Sequence, residues 1–156
     1  MQLKLKATDI LLNTRQERTF MILYSDGHIE MDYDVSHDIL TARWLDYKGA
    51  SKQELQYSIE RLISTIKSYD IRNLLIDAHE DVTGITDEEY LEVNQEFGKS
   101  LTETRLQKIA RLGSPNEKRE DLVEELAEDI LEKTEVKIIF QNFYDRPSAI
   151  SWLQKG

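Results

Sequence analysis

A chain of 156 residues is about one domain long and can bury one substantial core. Its 30 acidic residues against 20 basic ones leave a net charge of −10, which sets it against nucleic acid and anionic membranes, both of which are bound through Lys and Arg. The absence of Cys excludes disulfides, thiolate nucleophiles and Cys-ligated zinc or iron–sulfur centres.

Residues 1–19 read as a weakly patterned leader, and residues 20–156 as a single domain. Met1-Gln2-Leu3-Lys4-Leu5-Lys6 runs into polar Thr8-Asp9 rather than into a signal-peptide apolar core. No apolar run reaches the roughly 20 residues of a spanning helix, so a cytoplasmic protein without a membrane span is expected. Phe20-Met21-Ile22-Leu23-Tyr24 and Ile29-Glu30-Met31-Asp32-Tyr33 flank Ser25-Asp26-Gly27-His28, and Asp-Gly between apolar runs signals a hairpin because that turn needs positive φ. A second turn over residues 34–38 leads to a third strand at 39–46.

From Ser51 the apolar period changes from two to 3.6. Ser51-Lys52-Gln53-Glu54 is a capping box, followed by Leu55, Ile59, Leu62, Ile63 and Ile66 on one helical face. Asn73 to Asp77 is a short apolar run suited to a strand covered on both faces. Thr86-Asp87-Glu88-Glu89 opens a second helix with Tyr90, Val93, Phe97 and Leu101 inward. Gly98, beside that face, costs about 1 kcal/mol against Ala. Residues 105–112 follow as a strand. Ser114-Pro115-Asn116-Glu117 predicts a capping box with Pro at the first helical position. The third helix then carries Leu122, Val123, Leu126, Ala127, Ile130 and Leu131 as its stripe under an acidic coat. Val136-Lys137-Ile138-Ile139-Phe140 predicts the last strand, and a short helix from Asp145-Arg146-Pro147 carries Ala149, Ile150, Trp152 and Leu153. The expected fold is α/β: a mixed sheet with an N-terminal antiparallel β-meander followed by βαβαβα units, in the order βββαβαβαβα.

The stretch from Leu74 to Tyr90 concentrates carboxylates and threonines at a strand's carboxyl end, where open α/β sheets meet ligands and partners. Catalysis lacks a constellation there. His28 and His37 sit in or beside turns and read as solvated. His79 has no nucleophile elbow or second His beside it. Asp77, Glu80, Asp81 and Glu88 are hard oxygen donors suited to Mg²⁺, but Thr86 and Glu89 are accounted for by capping, and Asp87 and Glu88 by the helix dipole. No metal, cofactor or catalytic residue is expected. Gly84 stands alone, without a phosphate cradle. Trp44 and Trp152 read first as core residues; as pocket or interface aromatics they would serve a small apolar ligand held between helices and sheet.

The unit Leu74-Leu75-Ile76-Asp77 … Val82-Thr83-Gly84-Ile85-Thr86-Asp87-Glu88-Glu89-Tyr90, set after a meander and a helix, resembles the STAS domain of anti-sigma-factor antagonists. The closing Ala149-Ile150-Ser151-Trp152-Leu153 is similar to the bacterial SpoIIAA-like branch. The resemblance covers roughly residues 20–155. It implies a non-enzymatic, regulatory protein-interaction module whose helix start carries Asp-Ser-Ser-Gly, the second Ser being phosphorylated to release the partner. Aligned here, Thr86 takes the place of the Asp, Asp87 the first Ser, Glu88 the phosphoacceptor and Glu89 the Gly. Glu88 cannot accept phosphate and carries a permanent charge. The resemblance therefore implies a partner-binding or switch-equivalent set of Asp77, Thr83, Thr86, Asp87 and Glu88. The branch also shares the shape of CRAL-TRIO lipid carriers, which implies an apolar-ligand or lipid carrier as the second function. The partner and the oligomeric state are not specified.

Overall fold

The structure, a computed structural model, describes residues 20–80, 82–133 and 137–155. The leader 1–19, with Asp81 and Val136, lies outside the described residues. The strands are β1 (Phe20–Ser25), β2 (Ile29–Asp34), β3 (Ile39–Trp44), β4 (Asn73–Asp77), β5 (Lys108–Leu112) and β6 (Ile139–Phe143). The helices are α1 (Lys52–Ser68), α2 (Asp87–Leu101), α3 (Glu117–Lys133) and α4 (Arg146–Gln154). They follow one another as βββαβαβαβα, the expected order. The sheet runs β1-β2-β3-β4-β5-β6, antiparallel through β3 and parallel from there on.

Alternation along the strands sorts residues between two faces. Leu40, Ala42 and Trp44 of β3, Leu74 and Ile76 of β4 and Ile109 of β5 point to the face covered by α1, α2 and α3, where the main core lies. Ile39, Leu75 and Ala110 point to the other face and pack under Ala149 and Leu153 of α4. Two-sided cover explains why β4 reads as a continuous apolar run. Capping boxes at Ser51/Glu54 and Thr86/Glu89 form as the spacing predicts.

Several boundaries differ from the sequence reading, β3 ending at Trp44 rather than at residue 46. β5 begins at Lys108 rather than Arg105, because ladder pairing starts where Asn73 opposes Lys108. α3 starts at Glu117 without the predicted box. Asn116 Oδ1 accepts the Arg119 N–H at 3.2 Å, while the Ser114 hydroxyl is turned to Glu120 Oε2 at 3.1 Å. β6 covers Ile139–Phe143 rather than 136–140. As an edge strand it takes its register from β5, with Lys108 opposite Ile139 and the Ile139 N–H on the Gln107 carbonyl at 2.9 Å; Ile138, at the centre of the predicted strand, is instead buried in the main core just ahead of it.

Candidate functional site

Parallel register aligns Arg43, Asp77, Leu112 and Phe143 across β3 to β6, so the connections that follow these strands emerge together at one end of the sheet. The β4–α2 connection carries most of the residues singled out from sequence. Two features fix its path. Gly84 lies so close to the β3–α1 connection that an added Cβ would come within 2.6 Å of the Ala50 carbonyl oxygen. The second is Arg119 of α3, 6% exposed. Its Nη1 donates to the Val82 carbonyl and its Nη2 to the Ile85 carbonyl, each at 2.5 Å. Its Nε donates to Asp87 Oδ1 at 2.8 Å, and the guanidinium lies over the Tyr90 ring, 4.6 Å from its centroid. One side chain thus satisfies two loop carbonyls, pairs with the first turn of α2 and stacks on an aromatic ring, geometry suited to the planar fork of Arg.

This clamp divides the switch-equivalent set. Asp87 faces inward to Arg119 and is also reached by Lys118 Nζ at 2.9 Å; Lys118 first and Arg119 second hold its carboxyl below the usual carboxylate range. Asp77 accepts the His79 N–H at 3.2 Å and has Arg43 Nε at 3.8 Å. Thr86 accepts the Glu89 N–H at 3.1 Å, and the Glu89 carboxylate returns to the Thr86 N–H at 3.0 Å. Thr83 and Glu88 remain exposed, with His79 and Glu80 beside them in the same connection. The five residues therefore occupy one rim, but Asp77, Thr86 and Asp87 hold the rim together while Thr83 and Glu88 face solvent. Of the oxygen donors considered for Mg²⁺, Asp81 lies outside the described residues. No group of three or more His, Asp or Glu side chains converges as a cation requires among the described residues.

The two tryptophans are on opposite sides of the sheet. Trp152 packs on Phe143, ring centroids 5.5 Å apart, and receives Lys108 Nζ 5.1 Å from its ring. Trp44 is buried in the main core and lines a pocket of about 90 Å³ between α2, α3 and the sheet. They do not share one site. At the pocket's polar end Arg111, 5% exposed, donates from both Nη atoms to the Glu120 carboxylate, the Nη2 bond being 3.0 Å. Burial alone would raise the Glu120 pKa; Arg111 reverses this and holds it below the usual value. Burial raises the pKa of the neighbouring Tyr90, which stays a neutral phenol.

His28 does not behave as a solvated turn residue. Its Nδ1 lies 2.7 Å from the Asp46 carbonyl and its Nε2 2.9 Å from the Glu54 carboxylate, so both ring nitrogens face acceptors and the charged imidazolium fits best. The Asp46 carbonyl, then Glu54, raise its pKa above the usual value. His37, half exposed, pairs with Asp34 in its own turn.

Sequence reasoning missed Arg119 and Arg111. Each carried a signal: Arg119 falls three and four positions before Leu122 and Val123, on the apolar stripe of α3, and Arg111 alternates with Ile109 on the core face of β5. Among the described residues no helix is long and apolar enough to cross a membrane. Comparison with protein-family models, with curated proteins and with solved structures finds no match.

Proposed function

We propose that the protein is a non-catalytic, STAS/SpoIIAA-like regulatory module of the bacterial cytoplasm that meets a protein partner through the rim presenting Glu80, Thr83 and Glu88. The observation that carries this reading is the Arg119 clamp. The stretch from Val82 to Asp87, held by hydrogen bonds to Val82 and Ile85 and by an ion pair to Asp87, is tied down without a partner, which lowers the entropy cost of association. The element order, with a meander leading into alternating strands and helices, is consistent with the resemblance. Glu88, in the place of the phosphoacceptor, is exposed and bears a fixed negative charge, so binding through this rim is constitutive rather than switched by phosphorylation.

The test compares partners captured by the native protein with those captured by a Glu80→Lys, Glu88→Lys double variant. Both positions are exposed, but Glu88 lies in the first turn of α2, where reversing its charge opposes the helix dipole and costs about 1 kcal/mol. Loss of a specific partner, with the urea midpoint lowered by no more than that cost, is expected. Identical partner sets overturn the assignment of this surface.

A further inference from the structure

The pocket between α2, α3 and the sheet is separate from the rim, and its chemistry points elsewhere. Its walls are mostly apolar and include the rings of Trp44, Phe97 and Phe140. Its volume of about 90 Å³ is well below the roughly 300–1,000 Å³ of pockets that enclose drug-sized ligands, and below the roughly 150 Å³ of an engineered apolar cavity in another protein that stays dry and takes up benzene. A full acyl chain does not fit such a space. The polar end also selects. Arg111 is neutralised by its two-pronged contact with Glu120, and Tyr90 is an uncharged phenol, so no unpaired cation waits for a carboxylate or phosphate head group.

The wall formed by α3 is packed less deeply than the wall formed by α2. That helix buries Arg119 and Leu126 alone among its 17 residues, while Val123, Ala127 and Ile130, which line the pocket, remain partly exposed. Gly98 lets α3 approach α2 closely, since a Cβ there would collide with the Ile130 side chain. Ile130 and Ala127 are therefore the wall residues whose displacement would widen the pocket toward a benzene-sized space.

We infer that this pocket is a binding site for one small, uncharged, mainly hydrocarbon molecule of benzene's size or smaller, inserted between Phe97 of α2 and Ala127 of α3. The site excludes long-chain lipids by volume and organic anions by charge. Its lining includes Tyr90, on whose ring the Arg119 guanidinium lies, so an occupant also meets the base of the clamp.

Benzene titrated into the full-length protein and followed by methyl and arginine side-chain NMR tests this. The expected result is saturable shifts at Val123, Ala127 and Ile130 methyls, with the Arg119 Nε–H signal moving at the same midpoint, and a melting temperature that rises with benzene concentration. Ala127→Phe, which fills the space, is expected to weaken benzene binding by at least about tenfold. Ala127→Leu serves the same purpose if the larger ring prevents folding. Palmitate is expected to produce no saturable shift at these methyls. Linear, unsaturable shifts with benzene, shifts concentrated at exposed Phe20 and Ile22 instead, undiminished binding by the filled variants, or tighter binding of palmitate than of benzene would each overturn the inference.

Discussion

Arg119 and Tyr90 stand with the guanidinium carbon 4.6 Å from the ring centroid, and this stacked pair joins the third helix to the second beneath the rim. Replacing Arg119 by Met keeps the aliphatic stem but leaves the Val82 and Ile85 carbonyls without their buried donor. A loss of about 2–6 kcal/mol in urea unfolding is expected, because each of the two unsatisfied buried acceptors costs about 1–3 kcal/mol. A loss below that range would mean that water replaces the guanidinium without difficulty.

Asp87 supplies an acid dependence to the same clamp. Lys118 and Arg119 depress its folded-state pKa below the ordinary 3.8, so its contribution is present above that value and is lost as pH falls through the lower folded value. Asp87→Asn retains an acceptor for Arg119 while removing the titration. The acid limb of the stability profile is expected to become shallower below pH 4, with little change at pH 7; an unchanged acid limb would show that Asp87 is not linked to folding.

His28 gives the opposite sign. Its folded pKa lies above the ordinary 6.5, so the stabilisation is complete below that value and fades as pH rises through the folded pKa. The urea midpoint is expected to decline modestly from pH 6 to pH 8 in the native protein, and His28→Gln is expected to flatten that slope. Equal slopes in the two proteins would remove His28 as the cause.

Gly84 offers a test of close backbone approach. A methyl group here meets the Ala50 carbonyl oxygen at 2.6 Å and the Ala50 nitrogen at 2.9 Å, and neither can rotate away. Gly84→Ala is expected to destabilise by about 1–3 kcal/mol, the usual range for forced overpacking, with amide shifts centred on residues 49–51 and 82–86. Gly98→Ala behaves differently, because the atom in its way is the tip of the Ile130 side chain. There the helix gain of about 1 kcal/mol opposes the rotamer cost, and a net change within about 1 kcal/mol is expected.

The Tyr47 hydroxyl donates to Ser58 Oγ, and both residues are about 1% exposed. Tyr47→Phe strands the serine hydroxyl and is expected to cost about 1–2 kcal/mol. Adding Ser58→Ala removes the stranded group, so the double variant is expected to lose less than the sum of the single ones; strict additivity would argue against the bond.

Periodicity carried most of the fold. The change from period two to 3.6 at Ser51, the capping boxes at Ser51 and Thr86 and the apolar run at β4 each have a local cause and appear where the sequence places them. β6 failed because an edge strand's register is set by its neighbour: Val136 to Phe140 is the more apolar run, but pairing with Lys108 to Leu112 draws in Gln141 and Asn142 instead. The rim was legible as a place and not as a division of labour. Asp87 reads from sequence as a dipole-complementing surface acid, and nothing local to it reveals that a cation 32 positions later claims it. The same holds for His28, whose partners Asp46 and Glu54 belong to other turns.

The Arg119 contacts reach back 37 residues to Val82, 34 to Ile85 and 32 to Asp87. Closing loops of that size costs more chain entropy than forming either capping box, and the cost is recovered only once α3 has docked. The order of assembly follows. α2 carries its own capping box and β4 has its partner β3 before it in the chain, but the junction between them acquires its final shape only after the chain has been made and folded beyond residue 119. A nascent chain shorter than that lacks the Arg119 contacts to the connection, so the rim takes its final form only after α3 has been made and docked.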